Sequence, residues 1–313
     1  MINFAGIRIG HTTHPEFQTG CTVFLCPDGT CGSVDARGPA TGSRELTLLA
    51  PDKPDDKEID AVVLTGGSAF GLATADGVMR YLAQRGIGHP TPIRPVPIVS
   101  AGVVFDLGVN PNGPTPDAAM GYAACEAAER WNDEIEQGNV GAGAGVFVGK
   151  WAGFPHMMKG GFGVASLTIG EVVVAAAAVV NAVGDVVNDN GTVLAGARDE
   201  NGWLVERFGL RYIADPLLPS PATNTTLVLV ATNAILSRNE LYRLTHQAHN
   251  GMAIAVRPSH TRHDGDMAFA LSTGRVKGSI YLIGNMTVKV VSEAIRNGVR
   301  QAASVAGFPG LAG

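Results

Sequence analysis

Asn224-Thr225-Thr226 heads the apolar run "LVLVATNA", directly after the turn-like "SPAT". A hydroxyl at the start of a strand, beside a carbonyl held in a tight turn, can attack that carbonyl. An N→O acyl shift and hydrolysis of the ester would then free Thr225 as a new N-terminus. Its α-amine, with an unperturbed pKa of about 7.7–8.0, would serve as base for its own hydroxyl, the threonine form of the activated nucleophile. A plainer reading stands beside this one: threonine favours strands, and "SPATN" is simply a turn.

Four other residues have types that suit such chemistry. Asp264 and Asp266 in "HDGDMAFAL" are either an Asp-Gly turn or two carboxylates that orient an amine and a hydroxyl. Lys150 ends a strand after a glycine loop. It is either solvated or a cation that keeps a nearby amine neutral. Asn181 interrupts the apolar "VVVAAAAVVNAV", where a buried amide must find partners. It is either a satisfied core residue or a donor aimed at an oxyanion.

Histidines fall in three His-x-x-His pairs, His11/His14, His246/His249 and His260/His263. The last, with Asp264 and Asp266, is the candidate set for a metal-dependent hydrolase. There is no His-Glu-x-x-His. His246 and His249 read as a solvated helix face. The glycine loop "VGAGAG" precedes a strand rather than a helix, which argues against dinucleotide binding. Ser68 in "GGSAFG" lacks the Gly-x-Ser-x-Gly frame, so tight strand-to-helix packing is the better reading.

The elements that must position these residues are legible in outline. "GIRIGHTT", "GCTVFLC" and "CGSVDARG" read as strands joined in hairpin fashion, the last two through an Asp-Gly turn. "IDAVVLTGGSAFG" is a buried strand running through glycines into a helix, and "IVSAGVVFDLG" is a second strand. A helix is expected over 117–130, apolar strands over 159–187, and a helix starting at the capping box Ser237-x-x-Glu240. "MAFALSTG" is a strand, and 284–306 a final amphipathic helix. Strands cluster apart from helices, which predicts an α+β layered fold. No composition shift divides residues 1–313, so a single domain is expected.

Composition narrows the function. The 313 residues are 45% apolar and 16% charged, with net charge −5 and no basic run, so nucleic-acid and anionic-membrane partners are not expected. The longest apolar run, "VVVAAAAVV", is far short of the ~20 residues that span a bilayer. "MINFAGIRIGHTT" is not built like a signal peptide. Cys21, Cys26 and Cys31 match no zinc spacing and read as reduced, packed thiols. A cytoplasmic protein is expected.

From end to end the chain resembles the DmpA-like aminopeptidase family of N-terminal nucleophile hydrolases. The likeness is carried by "GIRIGHTT", "DARGPATGSRE", "AVVLTGGSAFGL", "GVMRYLAQRGIG", "PIVSAGVVFDLG", "VGAGAGVFVGK", "MKGGFGVAS", "NTTLVLVATNA" and "HDGDMAFALSTG". The resemblance implies a four-layer α/β/β/α sandwich, self-cleavage into an α chain 1–224 and a β chain 225–313, and a homotetramer of αβ units. It matches Thr225 to the nucleophile, Asn224 to the residue before the scissile bond, Lys150 to the active-site lysine and Asn181 to the oxyanion asparagine. Asp264 and Asp266 match the carboxylate pair of the members that hydrolyse 6-aminohexanoate (nylon) oligomers, whereas the aminopeptidase members differ at these places. One position departs: Phe105 stands where characterised members carry a tyrosine that faces the substrate pocket. The expected activity is hydrolysis of a peptide, amino-acid amide or amide oligomer, without a cofactor. The metal-dependent hydrolase and a non-catalytic oligomeric binding protein are the alternatives.

Overall fold

The computed structural model describes residues 2–54, 58–109, 111–130, 134–209 and 224–313. In chain order the main strands are β1 (Arg8–Thr13), β2 (Gly20–Leu25), β3 (Cys31–Ala36), β4 (Ser43–Arg44), β5 (Ala61–Thr65) and β6 (Val99–Val103). They continue with β7 (Phe162–Ile169), β8 (Val172–Asn181), β9 (Thr225–Ala234) and β10 (Met267–Val276). The long helices are α1 (Thr74–Gln84), α2 (Ala118–Glu129), α3 (Arg238–Ala255) and α4 (Ile280–Arg300).

Two five-stranded sheets result, ordered β1-β2-β5-β6-β4 and β3-β10-β9-β8-β7. In each, one pair is parallel, β5 with β6 and β9 with β10. A parallel pair needs a crossover, and α1 and α3 supply one each.

Alternation along the strands explains the layering. Phe24, Val62 and Leu64 of the first sheet meet Ala175, Ala177, Leu227, Leu229, Phe269 and Leu271 of the second in one shared core. Their neighbours Val23, Leu25, Ala61 and Val63 point the other way, onto α1 and α2. Val174, Ala176, Val228, Val230, Ala268 and Ala270 likewise point outward, beneath α3 and α4. The order is α/β/β/α, the four layers expected. Capping fixes where the helices start. Asp117 Oδ1 accepts the Met120 N–H at 2.9 Å ahead of α2, and the Ser237/Glu240 box is formed ahead of α3.

Three expectations need correction. β2 and β3 do not form a hairpin: the Asp-Gly turn carries the chain from one sheet to the other, where β3 pairs with β10. The final helix spans Ile280–Arg300 rather than 284–306, because Ala303 and Val305 instead make isolated bridges to Ala312 and Phe308. Lys150 does not end a strand. The short strand is Phe147–Val148, and Lys150 opens a 3-10 turn after Gly149, whose φ of 71° suits glycine.

Candidate active site

Strand direction brings the candidate residues together. β9 and β10 are parallel, so their starts lie side by side, and Asn224 bridges Asp264. β8 is antiparallel to β9, which sets its last residue, Asn181, opposite Thr225. The head of β9, the loop before β10 and the tail of β8 therefore meet at one end of the second sheet. Alternation also separates the two threonines. Thr225 has the parity of Leu227 and faces the space between the sheets, whereas Thr226 has the parity of Val228 and faces the helices. The segment Pro221–Thr223 that precedes Asn224 lies outside the described residues.

Thr225 is buried, and its Oγ1 donates to the carbonyl oxygen of Asn224 at 2.5 Å. The same oxygen accepts the Gly265 N–H at 2.8 Å. Asp266 spans two segments: Oδ1 accepts the Thr226 N–H at 2.7 Å and Oδ2 the His260 N–H at 3.0 Å. Asp264 Oδ2 accepts the Thr261 N–H at 2.6 Å. The stretch quoted above as "DARGPATGSRE" closes over this loop, with Arg37 and Gly38 N–H on the Asp266 carbonyl and Ala40 N–H on that of Asp264.

Charge is confined here. Burial pushes the Asp264 carboxyl up to about 6, and the neighbouring Asp266 charge adds to the rise; Thr261 and Lys150 oppose it. Burial pushes Lys150 down to about 7 against the pull of Asp264 and Asp266. A lysine and a carboxyl thus both titrate near neutrality, as general acid–base work requires. Asn181 Oδ1 accepts the Phe147 N–H at 3.1 Å and its Nδ2 donates to the Phe105 carbonyl at 3.0 Å. Through the Nδ2 bond the backbone of Phe105 borders the site. Asp106 is taken up elsewhere, by the Thr19 hydroxyl at 2.7 Å and the Gly67 N–H at 2.6 Å.

The histidines divide differently from the expectation. His246 is half-buried, and His249 is buried. Its Nε2 lies 3.1 Å from the Asp35 carbonyl, and its ring meets that of His260 edge-on with centroids 4.8 Å apart. Burial holds His249 down at about 4. The solvated-face reading fails for it because the helical period turns His249 under the sheet edge at β3. His260, at φ 54°, brings Nδ1 to 2.9 Å from Asp266 Oδ2. Among the described residues no group of three or more His, Cys, Asp or Glu is arranged to hold a metal ion. Ser68 sits at φ 53° in the tight turn between β5 and α1, with its N–H on the Val104 carbonyl at 3.0 Å.

Two participants were not read from the sequence. Gly265 passes there for the glycine of an Asp-Gly turn, yet its N–H meets the same carbonyl as the Thr225 hydroxyl. Asp185 anchors Trp151, the neighbour of Lys150, by accepting its indole N–H at 2.9 Å. The Asn-Thr junction and the Asp-Gly-Asp spacing were the signals available. Neither reports which backbone N–H faces which carbonyl.

A family model described as peptidase family S58 matches residues 1–312. The chain belongs to that family. It is 38% identical to an uncharacterised aminopeptidase of Mycobacterium leprae, over 99% of this chain and 92% of that protein. It is 33% identical to a 6-aminohexanoate-oligomer endohydrolase of Paenarthrobacter ureafaciens, over 88% of this chain and 75% of that protein. Its fold is similar to that of a Burkholderia β-aminopeptidase, with TM-score 0.71, 20% identity, and coverage of 99% of this chain and 91% of that one. It is also similar to an L-aminopeptidase D-Ala-esterase/amidase of Ochrobactrum anthropi described as a variant of the Ntn hydrolase fold. There the TM-score is 0.71 at 16% identity, covering 98% of this chain and 87% of that one. Family and relatives make the chain a hydrolase of amide or peptide bonds, with a fold similar to the Ntn hydrolase variant, and the non-catalytic binding reading falls away.

Proposed function

We propose that the chain cleaves itself between Asn224 and Thr225 and that the freed Thr225 then hydrolyses amides bearing a free amino group on the acyl side. The observation that carries this reading is the Thr225 hydroxyl lying 2.5 Å from the Asn224 carbonyl oxygen, beside the bond to be broken. In the first step Oγ1 bonds to the Asn224 carbonyl carbon and its proton passes to the Lys150–Asp264–Asp266 cluster. The C–N bond breaks, the nitrogen takes up a proton, and an ester joins Asn224 to Thr225. Water hydrolyses that ester, leaving the Asn224 carboxylate and a Thr225 with a free amine and hydroxyl.

In turnover the same hydroxyl attacks the substrate carbonyl and the α-amine takes its proton. While it holds its own proton, Lys150 disfavours one on that amine by like-charge repulsion, and Asp264 and Asp266 hold the amine in place. Asn181 supports the oxyanion, and Phe105 borders the acyl pocket. Amino-terminal peptide bonds, amino-acid amides and esters, and 6-aminohexanoate oligomers are the substrate class, in keeping with the names of the similar proteins. The matured αβ unit works as a cytoplasmic tetramer without a cofactor. Denaturing mass spectrometry of purified protein tests the first step. Fragments 1–224 and 225–313 are expected; intact chain after long incubation at neutral pH would overturn it.

A further inference from the structure

We infer that the backbone N–H of Gly265 is a catalytic donor in self-cleavage, holding the Asn224 carbonyl oxygen as that carbonyl turns tetrahedral. The inference rests on the proposed cleavage between Asn224 and Thr225 and adds the group that carries the charge developed there. In the resting geometry the Asn224 oxygen accepts from Thr225 Oγ1 at 2.5 Å and from the Gly265 N–H at 2.8 Å. Once Oγ1 gives up its proton and bonds to the carbon, it no longer donates to that oxygen. The Gly265 N–H stays, and it meets negative charge when the C=O electron pair moves onto oxygen. When the tetrahedral carbon collapses and expels nitrogen, that pair returns and the bond reverts to an ordinary one.

A donor of this kind works by being fixed in advance. The peptide that carries the Gly265 N–H and the peptide that follows Asp266 are both clamped. The Asp264 carbonyl accepts the Ala40 N–H, the Asp266 carbonyl accepts those of Arg37 and Gly38, and both side chains are held by backbone donors. Gly38 makes the close approach feasible, since a Cβ there would lie 2.3 Å from the Asp264 carbonyl oxygen.

Glycine at 265 is required by space, not by backbone angle. A Cβ at 265 would lie 2.8 Å from Thr225 Oγ1 and 2.8 Å from the Ala40 carbonyl oxygen. Any side chain would push the nucleophile or the overlying loop away. An aspartate on each side supplies charge, and the glycine between them lets the backbone reach the scissile carbonyl. The Asp-Gly-Asp spacing thereby acquires a reason that a turn alone does not supply.

The test replaces the 264–265 amide by an ester, introducing glycolic acid at position 265 by nonsense suppression in cell-free translation. This deletes the N–H and adds no bulk. Pulse-labelled chain is followed by gel, with thermal unfolding run on each variant to normalise for folded fraction. Processing should slow by about 10²-fold or more, the usual loss on removing one oxyanion donor. Gly265→Ala, which keeps the N–H but crowds Oγ1, measures the cost of bulk alone; N-methylglycine at 265, which also deletes the N–H, replaces the ester if that chain folds poorly. Parental processing rates in the folded ester variant, or in the N-methylglycine variant where it replaces the ester, would overturn the inference. Thr225→Ala separates this failure from that of the cleavage reading. If Thr225→Ala still yields the two fragments, the cleavage reading itself is wrong. If it is inert while the Gly265 variants process normally, only the role of Gly265 is lost.

Discussion

Lys150 and Lys159 lie close in sequence and in electrostatic condition. Burial pushes each down to about 7, and each is opposed by carboxylates, Asp264 and Asp266 for Lys150 and Asp106 for Lys159. Their surroundings differ. Lys159 Nζ donates to the Ala144 and Val146 carbonyls at 2.7 and 3.1 Å and lies 4.6 Å from the centre of the Phe147 ring. Asp106 is equally committed, to Thr19 and Gly67. That pair ties the glycine loop 140–146 to the ends of the first sheet and touches no nucleophile. The carboxylates near Lys150 flank a hydroxyl and a peptide bond. A shifted pKa reports burial. A reactive site needs the shifted groups to converge on a nucleophile and a bond.

The largest effect tests whether that convergence is chemical. Thr225→Ala should abolish both self-cleavage and hydrolysis, because one hydroxyl serves both. Thr226→Ala should keep most of each, since its side chain faces the helices and it contributes its backbone N–H to Asp266. Fragment mass and amide turnover are the readouts. Equal loss in both variants would place the nucleophile elsewhere.

Next in size is the structural lysine. Lys159→Met strands the buried Ala144 carbonyl, at about 1–3 kcal/mol for a buried group left unpaired, whereas the Val146 carbonyl keeps the Gly160 N–H at 2.9 Å. Urea unfolding of unprocessed chains, made comparable by a Thr225→Ala background, should show this loss for Lys159→Met and a smaller one for partly buried Lys150→Met. The reverse order would dissolve the distinction between the two lysines.

Much of this was legible because the chemistry lies at strand ends, where pattern changes. "NTTLVLVATNA" and "HDGDMAFAL" both show polar residues giving way to an apolar run, and that edge is where β9 and β10 begin. What stayed hidden has physical causes. The strands of the two middle layers are covered on both faces, so "VVVAAAAVV" and "GCTVFL" carry no alternation of polarity to tell one sheet from another. The β2–β3 turn therefore looked like a hairpin when it is a crossing between sheets. The period of His249 fits an exposed face as well as a buried one; only the contact with β3 decides. Gly265 and Asp185 act through pairings with distant segments, and these leave no local mark. The resemblance supplied the roles of Lys150 and Asn181, which spacing alone left open.

The third effect is on pH dependence. In matured enzyme the hydrolysis rate should rise with pH through a macroscopic pKa shared by the Thr225 amine, Lys150 and Asp264. The Lys150 cation disfavours a proton on the amine and opposes the rise of Asp264. Removing it lets both groups hold their protons to higher pH. In matured Lys150→Met the rising limb should move upward, and the rate at neutral pH should fall by more than the plateau rate. An unshifted profile would make Lys150 a binding or structural residue.

The smallest effect concerns Asp185, a buried carboxyl whose partner Trp151 adjoins Lys150. Burial raises Asp185 to about 6, against the N–H groups of Ala197 at 2.8 Å and Trp151 at 2.9 Å. In the unfolded chain the same carboxyl ionises near ~3.9. Between those values the folded state binds more protons than the unfolded one, so this group makes stability fall as pH rises from about 4 to about 6, by at most ~1.4 kcal/mol per pH unit. Asp185→Asn keeps an oxygen to accept both N–H groups and removes the titration. Its stability should therefore fall less than the parent's across that window; Asp264 titrates in both chains and cancels in the comparison. The hydrolysis profile should not move, because Asp185 shares no contact with Thr225. Urea unfolding at pH 4, 5, 6 and 7, beside the pH–rate curve of the matured variant, measures both. An unchanged stability slope would mean that Asp185 is not the titrating group. A displaced rate profile would mean that the indole of Trp151 links Asp185 to Lys150, so that the reactive cluster extends one shell further than its contacts with Thr225.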